Sequence, residues 1–324
     1  MNENIGSIAE LRIICLLAPE GADELTISKG WGSQNVIGLE QYKLIKKFSG
    51  YSSVCLYDKS VPASDNDVLL IMKCLPGTSL DILSKYKRII YYFDDMNPRK
   101  ANEESYKGEL SKVLAYISPL KSVAEEMNKQ KIISSFHLPW SMLDVDFDIS
   151  KTEKTSVFID MDERNIAIES IERGFTFAEL CLRLGLEVYV FDRFSEKCPE
   201  ELRNQISYIP RMPPAQFRRF LSTMWFYASG IRGSYEYCVL ESAMLGCGLV
   251  SIHSAIKEDH LDRCFCLQFN EQEGFERNFI EAISSFDKDK IISDARRLYP
   301  QNSSLGLKQI LDEVLSFESD NEKP

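Results

Sequence analysis

The chain contains no apolar run approaching the roughly 20 residues that a bilayer-spanning helix requires, and its mean hydropathy is -0.21. Positive charge is also short: 38 Lys and Arg against 49 Asp and Glu over 324 residues leave a net charge of -11. The broad positive field on which non-specific nucleic-acid binding depends is therefore missing. No Gly-x-Gly-x-x-Gly fingerprint, Walker loop or Gly-x-Ser-x-Gly elbow occurs, which lowers dehydrogenase, kinase and α/β-hydrolase readings. The three histidines have no local metal-ligand spacing. His137 ends a predicted strand, His253 ends another, and His260 falls in a charged surface stretch. The first ten residues lack a basic n-region and an apolar h-region, so the expectation is a soluble, cytoplasmic protein.

The nine cysteines are odd in number and irregularly spaced. Cys15, Cys55 and Cys181 lie inside apolar periodic segments, where a free thiol behaves as a small hydrophobe. Cys264 and Cys266 form the one close pair. No second pair accompanies them, so two residues on one face of a strand are favoured over a zinc site.

What is present is a repeated alternation. Hydrophobic residues make up 44% and charged residues 27%, a globular balance, and the length has room for two ordinary domains. Short, almost continuously apolar runs at 12–18, 53–57, 67–72, 88–93, 113–117 and 132–136 read as strands. Residues 34–48 and 120–129 read as helices. Continuous apolar strands separated by helices imply a parallel sheet covered on both faces. Residues 144–154 then turn acidic and polar, and Ser150 to Thr155 reads as an exposed linker. The alternation restarts with predicted strands at 155–159, 186–191, 205–209, 223–229 and 248–252, and helices at 166–184, 213–221 and 237–245. The fold class expected is α/β: two doubly wound, parallel-sheet, Rossmann-like domains facing a cleft, with ligands beyond the carboxyl ends of the strands. The predicted domains are 1–150, on the acceptor side, and 151–300, on the donor side. Residues 301–324 are predicted to form a closing helix that packs back on the first domain, with a polar tail.

The densest chemical signal runs from Trp225 to Val250. It reads as a strand, a tight glycine-containing loop, a helix ending on Gly246 in the C′ position, and a further strand. Backbone N–H groups of such a loop, with the positive end of the helix, make an anion site suited to a diphosphate. Glu241 lies one turn into the helix, where a carboxylate can accept two ribose hydroxyls. The alternative is a plain turn whose glycines serve geometry alone.

This segment resembles the donor-binding signature of GT-B fold glycosyltransferases of the glycosyl transferases group 1 type. Leu240-Glu-Ser-Ala-Met-Leu-Gly246 is similar to that family's Leu-Glu-Ala-Met-Ala helix and following glycine. Residues 208–217 resemble its base-flanking stretch, and residues 300–315 resemble its closing helix. The resemblance covers most of residues 155–317; the first half agrees in architecture more than in motif. It implies transfer of a sugar from a nucleotide-diphosphate sugar to a hydroxyl acceptor. The implied setting is polysaccharide or glycoconjugate biosynthesis, with a saccharide or lipid-linked acceptor and peripheral membrane association. No cofactor or metal is implied. The donor-binding residues implied are Ile209 near the base; Arg232, Gly233, Ser234, Tyr235, Glu236, Tyr237, Cys238 and Val239 along the loop and helix start; and Glu241.

Two departures stand against the pattern. The family carries two glutamates with seven residues between them, and Gly233 occupies the position eight before Glu241. The family also places an Arg and a Lys after the first strand of the second domain to neutralise the leaving diphosphate. Here that stretch is Asp160-Met-Asp-Glu-Arg-Asn165, with Arg164 its one cation. Arg232 and Arg193 are further candidates for that charge. In the first half, Gly30 and Gly32 open the first helix, where a glycine-rich loop approaches the donor, or where a simple helix-entry turn needs them. Asp94 and Asp95 follow a buried strand. A carboxylate there can take or orient the acceptor hydroxyl's proton, or cap the following turn. Asp94, Asp95 and Arg164 are accordingly the catalytic candidates. Two other functions stay open: a non-catalytic GT-B-fold partner protein, and a DNA-modifying glucosyltransferase, which the net charge disfavours.

Overall fold

The computed structural model describes residues 11–17, 33–72, 78–92, 104–119, 121–140, 142, 145, 147–161, 168–230, 237–252, 266–269, 274–298 and 305–321. The chain divides into two compact units, one of residues 1–143 with 300–324 and one of residues 144–299. Among the described residues no helix is long and apolar enough to cross a membrane.

The first unit is built on six parallel strands, β1 (Arg12–Leu16), β2 (Ser53–Leu56), β3 (Asp67–Ile71), β4 (Arg88–Tyr92), β5 (Ala115–Ser118) and β6 (Ser135–His137). Their order across the sheet is β2-β1-β3-β4-β5-β6. Every residue of β3 and β5 is buried, as a strand covered on both faces requires. The helix Ser33–Phe48 follows β1, and a Cβ added at its Gly38 would lie 3.1 Å from Leu17 Cδ2 and 3.2 Å from the Met72 carbonyl. Glycine there lets the helix close over the carboxyl ends of β1 and β3, where the sheet order reverses. The helix Leu305–Asn321 belongs to this unit and buries Leu307, Leu311 and Val314 at helical spacing. Lys308 on the same helix lies 5.7 Å from the centre of the Tyr51 ring.

The second unit carries β7 (Ser156–Asp160), β8 (Glu187–Phe191), β9 (Ser207–Ile209), β10 (Phe226–Ser229), β11 (Gly248–Ser251) and β12 (Cys266–Gln268). Their order is β12-β11-β10-β7-β8-β9, all parallel. Successive side chains of a strand point to opposite faces. Phe158 accordingly meets Phe191, Phe217 and Phe220 edge-on, with centroids 5.1 to 5.6 Å apart. Phe177 gathers Phe269, Phe275 and Phe279 within a cluster that includes Val157 and Ile159. Each such aromatic pair adds about 0.5–1.5 kcal/mol beyond the area it buries.

Three local expectations are corrected. The segment 132–136, read as a strand, is a turn that reaches β6 only at Ser135. Lys131 takes a φ of 54°, and the Asn128 amide brackets Ser135, donating to its carbonyl at 2.6 Å and accepting its N–H at 2.8 Å. The segment 223–229 begins in a helix, because Thr223 closes the helix Pro214–Thr223 and its hydroxyl donates to the Phe220 carbonyl. The stretch 150–155 is not an exposed linker along its whole length. Lys151 Nζ donates to the carbonyls of Met224 (2.6 Å) and Leu245 (2.9 Å), and Trp225 Nε1 donates to the Thr152 carbonyl. Polar composition was a poor guide because these side chains satisfy buried carbonyls rather than water. Cys266 opens β12, while Cys264 lies outside the described residues.

Candidate functional site

In the second unit the sheet reverses direction of growth between β7 and β10. From β7 the chain adds β8 and β9 on one side, and from β10 it adds β11 and β12 on the other. Loops leaving the carboxyl ends of two such strands diverge and open a crevice, the place where doubly wound sheets bind ligands. Asp160 and Ser229 are register partners at those two ends. Residues 162–167 and 231–236, which carry the acidic stretch and the glycine loop of the sequence, follow directly.

The exit is tightly fixed. Gly230 N donates to the Asp160 carbonyl at 2.7 Å, and the Ser170 hydroxyl donates to the Gly230 carbonyl at 2.5 Å. Ser170 comes from the first turn of the helix Ile168–Arg183, so strand, loop and helix are joined at one glycine. A Cβ at Gly230 would lie 2.8 Å from Ser170 Oγ, 3.0 Å from the Asp160 carbonyl and 3.1 Å from Ile252 Cδ1. The Asp160 carboxylate is buried and accepts the Tyr227 hydroxyl at 3.0 Å.

Beyond the loop stands the helix Tyr237–Met244, which ends on Gly246 at a φ of 73°, with Gly246 N donating to the Ala243 carbonyl and Cys247 N to the Ser242 carbonyl. This is the left-handed terminus that the sequence suggests, and it needs a glycine. Val239 is buried in the core, whereas Cys238 is half-buried and its carbonyl accepts the Ser242 hydroxyl. Glu241 is buried as well, its side chain 7% exposed.

Its partner comes from another helix. Arg218, on the helix Pro214–Thr223, donates from Nε to Glu241 Oε1 at 2.8 Å, and its Nη2 lies 2.7 Å from the same oxygen. Phe217 and Phe220 of that helix pack against Phe158 and so hold it to the sheet. A charge-assisted bond of 2.8 Å, between two largely buried side chains, orients the carboxylate. Sequence reasoning missed Arg218. No local motif marks it, since it stands 23 residues before Glu241 on a separate element.

Of the other sequence candidates, Ile209 ends β9, two strands away from β7 at the sheet edge, where it is half-buried. Arg193 stacks on Phe191 and Phe194 at 5.0 and 4.9 Å. His137 Nε2 lies 3.2 Å from the Pro119 carbonyl in the first unit. Gly30, Gly32, Asp94, Asp95, Arg164, Arg232, Gly233, Ser234, Tyr235, Glu236, His253 and His260 lie outside the described residues, as does the side chain of Tyr237. Among the described residues no group of three or more His, Cys, Asp or Glu side chains is arranged to hold a metal ion.

Solved structures with this architecture exist. The sucrose-phosphate synthase of Thermosynechococcus elongatus superposes with a TM-score of 0.60 at 9% identity, over 94% of this chain and 99% of its own. A Listeria monocytogenes protein assigned as a UDP-N-acetylglucosamine 2-epimerase gives 0.57 at 9% identity, over 98% and 99%. The S. aureus MnaA–UDP co-structure gives 0.54 at 11% identity, over 97% and 99%. The likeness shows the fold. It is two parallel-sheet, Rossmann-like domains, consistent with the GT-B architecture. No protein-family model matches the sequence, and a comparison with curated proteins finds no match.

Proposed function

We propose that this chain is a glycosyltransferase that moves a sugar from a nucleoside-diphosphate sugar to a hydroxyl acceptor, without a metal ion. The observation that carries the reading is Glu241. It is a buried, arginine-paired carboxylate on the helix that follows the glycine loop of the switch point. A buried ion pair is a weak source of stability, whereas an oriented carboxylate is a good acceptor for vicinal ribose hydroxyls. The sequence around it, Leu240-Glu-Ser-Ala-Met-Leu-Gly246, supports the same reading. Loop N–H groups of residues 232–239 and the helix start would receive the diphosphate. Arg164 and Arg232 would neutralise it on departure, and Asp94 or Asp95 would orient the acceptor hydroxyl. A saccharide or lipid-linked acceptor, in polysaccharide or glycoconjugate assembly at the cytoplasmic face of a membrane, is the setting that fits this chemistry.

One observation favours a second reading, a non-catalytic binding protein on the same scaffold. Asp160 is a buried carboxylate at the switch point, and Asp162 and Glu163 follow where the family has cations. Negative charge beside a departing diphosphate raises the barrier that catalysis must lower.

The experiment begins with thermal stabilisation and calorimetry over UDP, ADP and GDP, with UDP the first choice because S. aureus MnaA was solved with it. Nucleotide sugars of the bound base follow, scored for diphosphate release and for change in the sugar itself. The fold occurs in a synthase and in an epimerase, and this pair of readouts separates transfer from epimerisation. Absence of binding at millimolar nucleotide removes the enzyme reading. Binding without turnover supports the partner protein.

A further inference from the structure

We infer that Lys151 is a positioning residue of the Glu241 site. Its ammonium joins the carboxyl ends of the helices Pro214–Thr223 and Tyr237–Met244, and so sets how Arg218 faces Glu241. The inference deepens the proposed nucleotide-sugar reading of that site and rests on it.

Lys151 bonds to neither member of the pair. Its Nζ donates to the Met224 carbonyl at 2.6 Å and the Leu245 carbonyl at 2.9 Å, and lies 3.7 Å from Cys247 Sγ. Met224 caps the helix that carries Arg218, and Leu245 directly follows the helix that carries Glu241. The last carbonyls of a helix have no partner within it, and together they carry about half a negative charge. Two such ends brought together repel, and one ammonium between them matches the sum of their charges. Cys247 braces the same junction, its Sγ donating to the Leu221 carbonyl at 3.2 Å and the Met224 carbonyl at 3.4 Å.

The route from this junction to the pair is short. Leu245 N donates to the Glu241 carbonyl at 2.9 Å, so the residue that Lys151 holds also closes the helical turn begun at Glu241. On the other helix Met224 N donates at 3.0 Å to the carbonyl of Leu221, three residues beyond Arg218. Lys151 is itself fixed through its neighbour. Thr152 N donates to the Thr223 carbonyl at 3.0 Å, and Trp225 Nε1 donates to the Thr152 carbonyl at 2.9 Å. Burial pushes the pKa of Lys151 below its ordinary value; Cys247 opposes this and Lys288 adds to it. A lysine serving solubility would leave its ammonium in water, whereas this one is held where charge is costly.

The test is calorimetric titration of the full chain with UDP, ADP or GDP, whichever binds most tightly, with urea unfolding to show that each variant is folded. The variants are Lys151→Met, Lys151→Arg, Glu241→Gln, and Lys151→Met combined with Glu241→Gln. Lys151→Met should weaken nucleotide binding about three- to tenfold. Lys151→Arg keeps a charged donor for both carbonyls and should recover most of that loss. In the Glu241→Gln background, Lys151→Met should change affinity by less than about twofold, because Lys151 acts through Glu241. A lysine with a merely structural role would lower stability and leave the affinity of the folded chain as it was. Affinity unchanged in Lys151→Met, or an equal loss of affinity in the two backgrounds, overturns the inference and leaves the nucleotide-sugar reading standing. Should Lys151→Met fail to fold, Lys151→Gln, an uncharged donor, takes its place in the same comparison. A native chain that binds none of the three diphosphates takes down both.

Discussion

Gly230 donates its amide to the carbonyl of Asp160 at 2.7 Å, and in doing so fixes where two loops leave the second sheet. Asp160 ends β7 and Ser229 ends β10, the two strands from which the sheet grows in opposite directions. The glycine loop and the acidic stretch therefore depart from neighbouring points. Ser170 fastens the arrangement from above by donating to the Gly230 carbonyl. A site placed on strand ends and joined by backbone bonds is more exact than one carried on loops alone.

Replacing that glycine tests the closeness of the approach. In Gly230→Ala the new methyl would sit 2.8 Å from Ser170 Oγ and 3.0 Å from the Asp160 carbonyl. The serine can turn away, but the backbone cannot. We expect a loss of roughly 1–3 kcal/mol, the usual cost of overpacking. Adding Ser170→Ala removes one of the contacts, so the double variant should lose less than the sum of the singles. Urea unfolding of the three variants measures it. A Gly230→Ala chain as stable as the native one would contradict the geometry.

Glu241 gives the direct test of the proposed donor site. Glu241→Gln keeps the shape and removes the charge, and nucleotide affinity should fall about ten- to hundredfold. Glu241→Ala should fall at least as far. It should also cost about 1–3 kcal/mol in stability, because Arg218 loses its carboxylate at a largely buried position. Calorimetry with the preferred nucleotide, alongside thermal melting, separates the two effects. A chain that melts earlier but binds nucleotide as before would make Glu241 a structural residue only.

How far the sequence carried these conclusions differs by element. The two sheets were legible because β3, β7 and β10 have apolar centres with polar residues only at their ends, and are buried along their whole length. Gly246 was legible too, since a glycine between a helix pattern and a strand pattern has few other uses. The helices Phe275–Ser284 and Lys288–Leu298 were not anticipated. They follow β12, a strand of three residues that gives the alternation almost no signal. Arg218 escaped for a different reason. Its role depends on two helices lying side by side, and no spacing along the chain encodes that.

The pH dependence of the first unit should centre on Asp67. Burial pushes its carboxyl up, but Arg12 and Ser64 more than reverse this and hold it below its ordinary value. Arg12 Nη2 lies 2.6 Å from Asp67 Oδ2, and the Ser64 amide donates at 2.8 Å. A depressed folded-state value means that the stabilisation is complete above the unfolded value, near 3.9, and is lost as pH falls through the folded one. Asp67→Asn should therefore be less stable than the native chain at neutral pH, and the gap should close below about pH 4. Urea unfolding across that range reports the difference. A gap that stays constant into acid would remove Asp67 as its source.

The last prediction concerns the charge that a leaving diphosphate would need in the proposed reaction. The stretch after β7 offers Arg164 among Asp162 and Glu163, and the loop after β10 offers Arg232. Both stretches leave the same switch point, at Asp160 and Ser229. If either arginine meets the diphosphate, its replacement by alanine removes a charge-assisted hydrogen bond of roughly 1.5–3 kcal/mol. Affinity for a nucleoside diphosphate should then fall about ten- to hundredfold, while affinity for the uncharged nucleoside stays as it was. Comparing the two ligands is what makes the result specific, because a misplaced helix would weaken both together. The affected arginine should also lower transfer more than binding, since charge on the leaving oxygens grows toward the transition state. If Arg164→Ala and Arg232→Ala both leave diphosphate affinity intact, no cation from these two stretches serves the site. The acidic residues beside it then dominate its field, and the non-catalytic partner protein becomes the better account of the fold.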